Sequence, residues 1–224
     1  MASLPAREQY EVEPERLIVV SDELRFGWQQ TFKNLRPWLW VCGIGAFLSI
    51  LENALTRSRG EVSARPLLAL VIQALQVGVT LASFRIALRL ADGRPAGELD
   101  PKTLLAGYFR FLLTHLLLAL IVAGGLILLV VPGIVWAVTY GFAPWLCAAE
   151  GYDPVEALRE SRRLTKGHRR SLLVFGLICV GVNLLGALAV GIGLFVTVPT
   201  TVIASAHVLR RLQRNAPPGS HIEL

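Results

Sequence analysis

The sequence is short of charge. Only 17% of its 224 residues are Asp, Glu, Lys or Arg, against about 25% in a typical soluble domain. Its three cysteines, Cys42, Cys147 and Cys179, lie far apart inside apolar runs. That spacing argues against a disulfide framework or a zinc site. There is no G-x-S-x-G, no phosphate-binding glycine loop, no H-E-x-x-H and no C-x-x-C. The hydrolase, nucleotide, zinc-protease and redox chemistries those motifs carry therefore have no footing. No catalytic residue, cofactor or metal is expected, and the chain is read as non-enzymatic. The first 36 residues lack a long apolar core, so no cleavable signal peptide is expected.

What the chain has instead is long stretches of apolar sequence. Residues 111–149 and 171–209 contain no charged side chain. Each run is about twice the ~20 residues a helix needs to cross the hydrocarbon core, so each is read as two crossings joined by a turn. Between them lies DPVEALRESRRLTKGHRR, Asp153 to Arg170, the water-exposed joint between two hairpins. Asp153-Pro154-Val155-Glu156 is a D-x-x-E capping box with proline at the first helical position, which starts a basic helix there.

Upstream, residues 1–20 read as a cytosolic tail. Ser21 is the expected N-cap of a helix with Asp22 and Glu23 in its first turn. Leu24, Trp28 and either Leu35 or Phe32 share one face of that helix, which places it in the membrane interface. Spans follow at about 37–55 and 66–84, around a loop carrying Arg57, Arg59 and Arg65. Asp100-Pro101 caps the next helix. The third and fourth spans cover about 111–131 and 132–149, with the fold-back at Gly124-Gly125 or at Pro132-Gly133. The fifth runs to about Leu188, Gly191-Ile192-Gly193 makes the turn, and the sixth carries Pro199. The expected fold is thus all-α: about six transmembrane helices as three hairpins, each preceded by an interfacial amphipathic helix. The units are 21–97, 98–152 and 153–212 within one membrane domain, 21–212, followed by a tail at 213–224. The three units have the same orientation, a parallel internal repeat.

Nineteen of the 22 Lys and Arg residues fall on one side of this arrangement and three on the other. By the positive-inside rule both termini are expected in the cytosol. The net charge of +6 is therefore a topology signal, and no nucleic-acid partner is expected.

Pro132-Gly133-Ile134, Tyr140, Glu156-Ala157-Leu158, Ser161, Leu164, Lys166-Gly167-His168, Gly191-Ile192-Gly193 and Pro199 form a recognisable series. With Gly27-Trp28 and Phe32-Lys33-Asn34 near the start, the chain resembles a group of bacterial six-helix integral membrane proteins. That group includes YciC-like proteins and the membrane domain that precedes some glycerophosphodiester phosphodiesterases. The resemblance implies the six-helix fold and a bacterial inner membrane. It does not imply phosphodiesterase activity, because no soluble phosphodiesterase domain is present. Many relatives have an aromatic residue after the last proline, where this chain has Thr200.

The candidate contact residues are Arg159, Arg162, Arg163, Lys166, His168, Arg169 and Arg170, read as an anchor among anionic lipid head groups or as a docking face for a membrane-protein partner. A basic juxtamembrane residue is worth about 1 kcal/mol at an anionic surface. The intramembrane polar candidates are Glu52, His115, Asn183 and His207. Glu52 is expected in an end-of-helix ion pair with Arg57 and Arg59, with a proton path as the alternative. The two histidines, Asn183, Gln73 and Gln76 are expected in helix-to-helix hydrogen bonds. Gly124, Gly125, Gly181, Gly186, Gly191 and Gly193 are expected to allow close packing. Two functions follow: a structural or accessory component of a bacterial membrane system, or a transporter or lipid-handling protein with a cavity between the hairpins. Convergence of the four polar candidates on one cavity would favour the second.

Overall fold

A computed structural model describes residues 19–57, 65–97, 101–189 and 193–216. Among these the regular structure is entirely helical: α1 Val20–Lys33, α2 Leu35–Arg57, α3 Arg65–Ala91, α4 Pro101–Leu128, α5 Val130–Tyr140, α6 Ala143–Glu150, α7 Pro154–Thr165, α8 Arg169–Leu188 and α9 Leu194–Asn215. Five stretches are long and apolar enough to cross a membrane: Leu35–Leu55, Leu67–Ala91, Lys102–Leu128, Val130–Glu150 and Arg169–Leu188. Their outer faces carry large exposed side chains such as Ile50, Leu70, Leu120, Ile127 and Leu185. An apolar surface of that extent is stable when lipid covers it. The chain is a multi-pass membrane protein.

The expected sixth span, α9, is not apolar enough to stand with the other five. It carries Thr197, Thr200, Thr201, Ser205 and His207 before Arg210 and Arg211. The reason is its position. Ile203, Ala204, Ala206, Val208 and Leu209 are wholly buried, and α9 packs against α1, α2, α3, α7 and α8. A helix surrounded by protein can spend its polar groups on its neighbours, whereas one facing lipid must be apolar on its outer face.

Three other expectations change. The first helix begins at Val20 after an extended Val19, with no side-chain cap, so Ser21 lies inside it. No separate interfacial helix precedes α4, which runs unbroken from Pro101 to Leu128; Asp100 lies outside the described residues. Separate amphipathic helices do precede the other two hairpins, as α1 and α7. The fold-back after α4 is at Leu129, which is extended (φ −167°, ψ 144°), between Gly124-Gly125 and Pro132-Gly133. It brings Gly125 against Gly133, where a Cβ on Gly125 would lie 2.8 Å from the Gly133 Cα. Gly186 and Gly193 allow the same closeness between α8 and the start of α9, but Gly124 and Gly181 face open space. Gly191 lies outside the described residues.

Trp38, Leu81, Phe111, Leu146, Ile203 and Leu209 are among the most deeply buried core side chains. Phe84 stacks on Trp145 at 3.7 Å between ring centroids and meets Phe111 edge-on, tying α3, α4 and α6 together.

Candidate functional site

The basic joint begins with a helix break. The fourth span splits at Gly141-Phe142 into α5 and α6, and Pro144 in the first turn of α6 has no N–H to give. The last carbonyls of α5 therefore need other donors. Ser161 Oγ donates to the Thr139 carbonyl at 2.9 Å, and Thr165 Oγ1 approaches the same oxygen at 3.2 Å. Ser161, read from sequence only as small, is thus also the donor that seats α7 on α5. Ala157, Leu158, Ser161, Leu164 and Thr165 form its buried face, at the i, i+1, i+4, i+7, i+8 spacing of an amphipathic helix.

Asp153 and Pro154 start α7 as expected, with the Ala157 N–H donating to the Asp153 carbonyl at 2.8 Å, but no side-chain cap hydrogen bond forms, so the expected capping box is not made. The Asp153 carboxylate lies instead 3.5 Å from Arg110 Nε. At the other end Gly167 has φ +89°, a left-handed conformation that glycine adopts without a Cβ penalty. That turn redirects the chain into α8. The result is a corner with Arg159, Arg162, Lys166, Arg169 and Arg170 exposed and His168 half-buried. Arg163 departs from this set. It lies half-buried in a bidentate pair with Glu160, at 2.8 and 2.5 Å.

The four intramembrane candidates do not converge. Glu52 accepts from Gln76 Nε2 at 3.1 Å, joining α2 to α3. Its expected partner Arg59 lies outside the described residues, as does the side chain of Arg57. His115 sits among Phe84 and Phe111, and its Nδ1 has no hydrogen-bond partner among the described residues. Asn183 Nδ2 donates to Thr201 Oγ1 at 3.1 Å, joining α8 to α9. Gln73 is exposed. The helix-to-helix hydrogen bonds expected of Gln76 and Asn183 are present, while His115 sits in aromatic packing.

His207 belongs to a cluster that sequence reasoning missed. Glu23 is fully buried. One of its oxygens meets His207 Nδ1 at 2.5 Å and the other meets Arg211 Nη1 at 2.6 Å. The His207 ring stacks on Phe26 at 4.2 Å. Glu23, Gly27 and Thr31 form the buried stripe of α1, four residues apart. They face Thr200, Ala204, His207 and Arg211 on α9. Trp28 and Phe32, the residues that suggested an interfacial helix, are exposed on α1, as an apolar face turned to lipid requires. The available signal was that small-polar stripe on both helices.

A second charged cluster closes the bottom of the bundle. Arg210 pairs bidentately with Asp92 at 2.8 and 2.9 Å and reaches Gln213 at 2.9 Å. Gln213 Nε2 donates to Glu150 at 2.7 Å. These residues line a polar cavity of about 740 Å³ together with Arg94, Tyr152 and Arg163. Burial, then the Glu150 carboxylate beside it, pushes the Tyr152 phenol up to about 12. Among the described residues no group of three His, Cys, Asp or Glu side chains could hold a metal ion.

Residues 63–216 match the family described as Domain of unknown function (DUF7847), and the chain belongs to that family. No curated protein and no solved structure matches it.

Proposed function

We propose that this member of the DUF7847 family is a non-enzymatic accessory component of a bacterial inner membrane, with both termini in the cytosol. Its α7–α8 corner is the contact surface for anionic head groups or a membrane-protein partner. One observation carries the reading. The inner face of α7 is fixed to the body by Ser161 and Thr165, while Arg159, Arg162, Lys166, Arg169 and Arg170 stand exposed at the foot of a membrane span. Five cations near an anionic surface amount to about 5 kcal/mol of attraction at about 1 kcal/mol each. The likeness to YciC-like membrane proteins supports a role inside the membrane without supplying a reaction. Arg163 is not part of the surface, because Glu160 holds it. The scatter of Glu52, His115, Asn183 and His207 over four helix contacts gives no support to an ion or proton path. A second reading, lipid handling, has the apolar groove between α2, α3 and α4 in its favour.

The test is alanine replacement of Arg159, Arg162 and Lys166 together. Native mass spectrometry of the protein released from its own membrane then reports bound partners and lipids. Loss of the co-purifying partner or anionic lipid is expected, with the fold retained. Unchanged recovery of both would end the proposal.

A further inference from the structure

One charge inside a span has no ion-pair partner among the described residues. Arg85 lies on α3, six residues before its end at Ala91, hence about 9 Å inside the helix terminus at 1.5 Å per residue. It is half-buried and makes no ion pair or hydrogen bond with any described residue. A guanidinium at that depth is costly unless something neutralises it. Its position is defined, since a Cβ built on Gly107 would lie 2.7 Å from Arg85 Nη2. The absence of a side chain on α4 is what makes room for it there.

An open groove of about 660 Å³ between α2, α3 and α4 has Ala82, three residues before Arg85, among its walls. Val41, Val71, Leu75, Ala82 and Leu105 are among its walls. The one hydroxyl on its lining, that of Tyr108, is already donated to the Ala74 carbonyl at 2.7 Å. The groove follows α3 from Val71 to Ala82, about 16 Å of helix. Gly78, Ala82 and Arg85 are spaced by four and three residues, so they share one face. The arginine therefore stands at the end of the groove nearer the α3 C-terminus. No described groove residue is a carboxylate that could receive a head-group ammonium.

We propose that this groove holds one phospholipid of net negative charge, its phosphate on Arg85 and an acyl chain along α3 between α2 and α4. The site is separate from the α7–α8 corner and does not rest on it. A free phosphate would satisfy the arginine but leave the groove unexplained. A neutral lipid would fill the groove but leave the arginine unpaired.

The experiment uses the whole protein in nanodiscs containing a phosphatidylglycerol with a photoactivatable group in one acyl chain. Labelling is mapped by peptide mass spectrometry. Wild-type protein should be labelled mainly in the peptides holding residues 71–82 and 104–108, several-fold above the lipid-facing residues of α8. R85Q should reduce that labelling about tenfold or more, the scale of one lost charge-assisted hydrogen bond, and R85K should retain part of it. Inorganic phosphate should not compete. Even labelling across α2, α4 and α8 would overturn the proposal in the wild-type protein alone, whatever the variants do. So would an undiminished signal in a folded R85Q, competition by inorganic phosphate, or equal labelling by the phosphatidylcholine analogue.

Discussion

Replacing Gly27 by alanine sets two opposed effects against each other. In an unpacked helix the change stabilises by about 1 kcal/mol, because glycine is the poorer helix former. In this protein a Cβ on Gly27 would come far inside van der Waals contact with the Thr200 carbonyl oxygen, and within 3.3 Å of the Ala204 Cβ. The obstacle is mainly backbone, which cannot rotate away. Helix α1 must therefore back off α9, loosening the Thr31–Thr200 hydroxyl contact at 3.2 Å and the Glu23–Arg211 pair at 2.6 Å. Overpacking of this kind costs about 1–3 kcal/mol, and rigid backbone puts it at the upper end. About 3 less about 1 leaves a net loss of about 2 kcal/mol. For a chain of this size that lowers Tm by about 4–8 °C. The control is Gly176→Ala on α8, where nothing lies within 4 Å and propensity alone should raise Tm slightly. Thermal unfolding of both variants in one detergent gives the comparison. A G27A protein as stable as G176A would refute the packing of α1 on α9.

Further outcomes follow from the same contacts. Glu23→Ala should destabilise by about 3 kcal/mol, at the lower edge for a broken buried pair because Arg211 can partly hydrate, and limited proteolysis should then release the segment before α2 earlier than in wild type. Ser161→Ala leaves Thr165 as the remaining side-chain donor to the Thr139 carbonyl and should cost about 1 kcal/mol, measured by thermal unfolding, whereas Ser161→Leu should prevent folding. The Tyr152 phenol ionises at about 12 when folded and near 10 when unfolded, so its contribution to stability is intact below pH 10 and is lost as pH rises toward 12. A phenolate absorbance titration should show one late step that Tyr152→Phe removes.

The membrane spans were legible because their signal is local. A run without charge and about 20 residues long can be read from composition alone, and the Asp153-Pro154 start of α7 is a matter of two adjacent residues, although the capping box read there does not form. The fold-back at Leu129 was less legible, since Gly124-Gly125 and Pro132-Gly133 flank it and each supplies one side of the close contact, Gly125 against Gly133. The character of α9 was hidden by its apolar half. Its threonines and His207 look tolerable in a span until one sees that protein, not lipid, surrounds them. Glu23 shows the limit most clearly. In sequence it is an acidic residue in a first turn, placed well for the helix dipole. In the fold it is the buried partner of residues 184 and 188 positions away, and no local pattern encodes that pairing. Arg210 reads as a positive-inside residue and acts as the tie between Asp92 and Glu150. The exposed basic residues of α7 were found because amphipathic spacing names both faces of a helix at once. Glu160 and Arg163, three residues apart on that helix, read as an ion pair from their spacing, and the structure joins them.

The proposed contact role requires the α7–α8 corner to lie at the cytosolic head-group plane, opposite the C-terminal end of α2. Impermeant maleimide labelling of Arg162→Cys and Ala54→Cys, each in a background lacking the three native cysteines, reads that directly. Arg162→Cys should label only in inside-out vesicles and Ala54→Cys only in right-side-out ones. Labelling of both positions from the same side would contradict the topology and, with it, the function assigned to the basic corner.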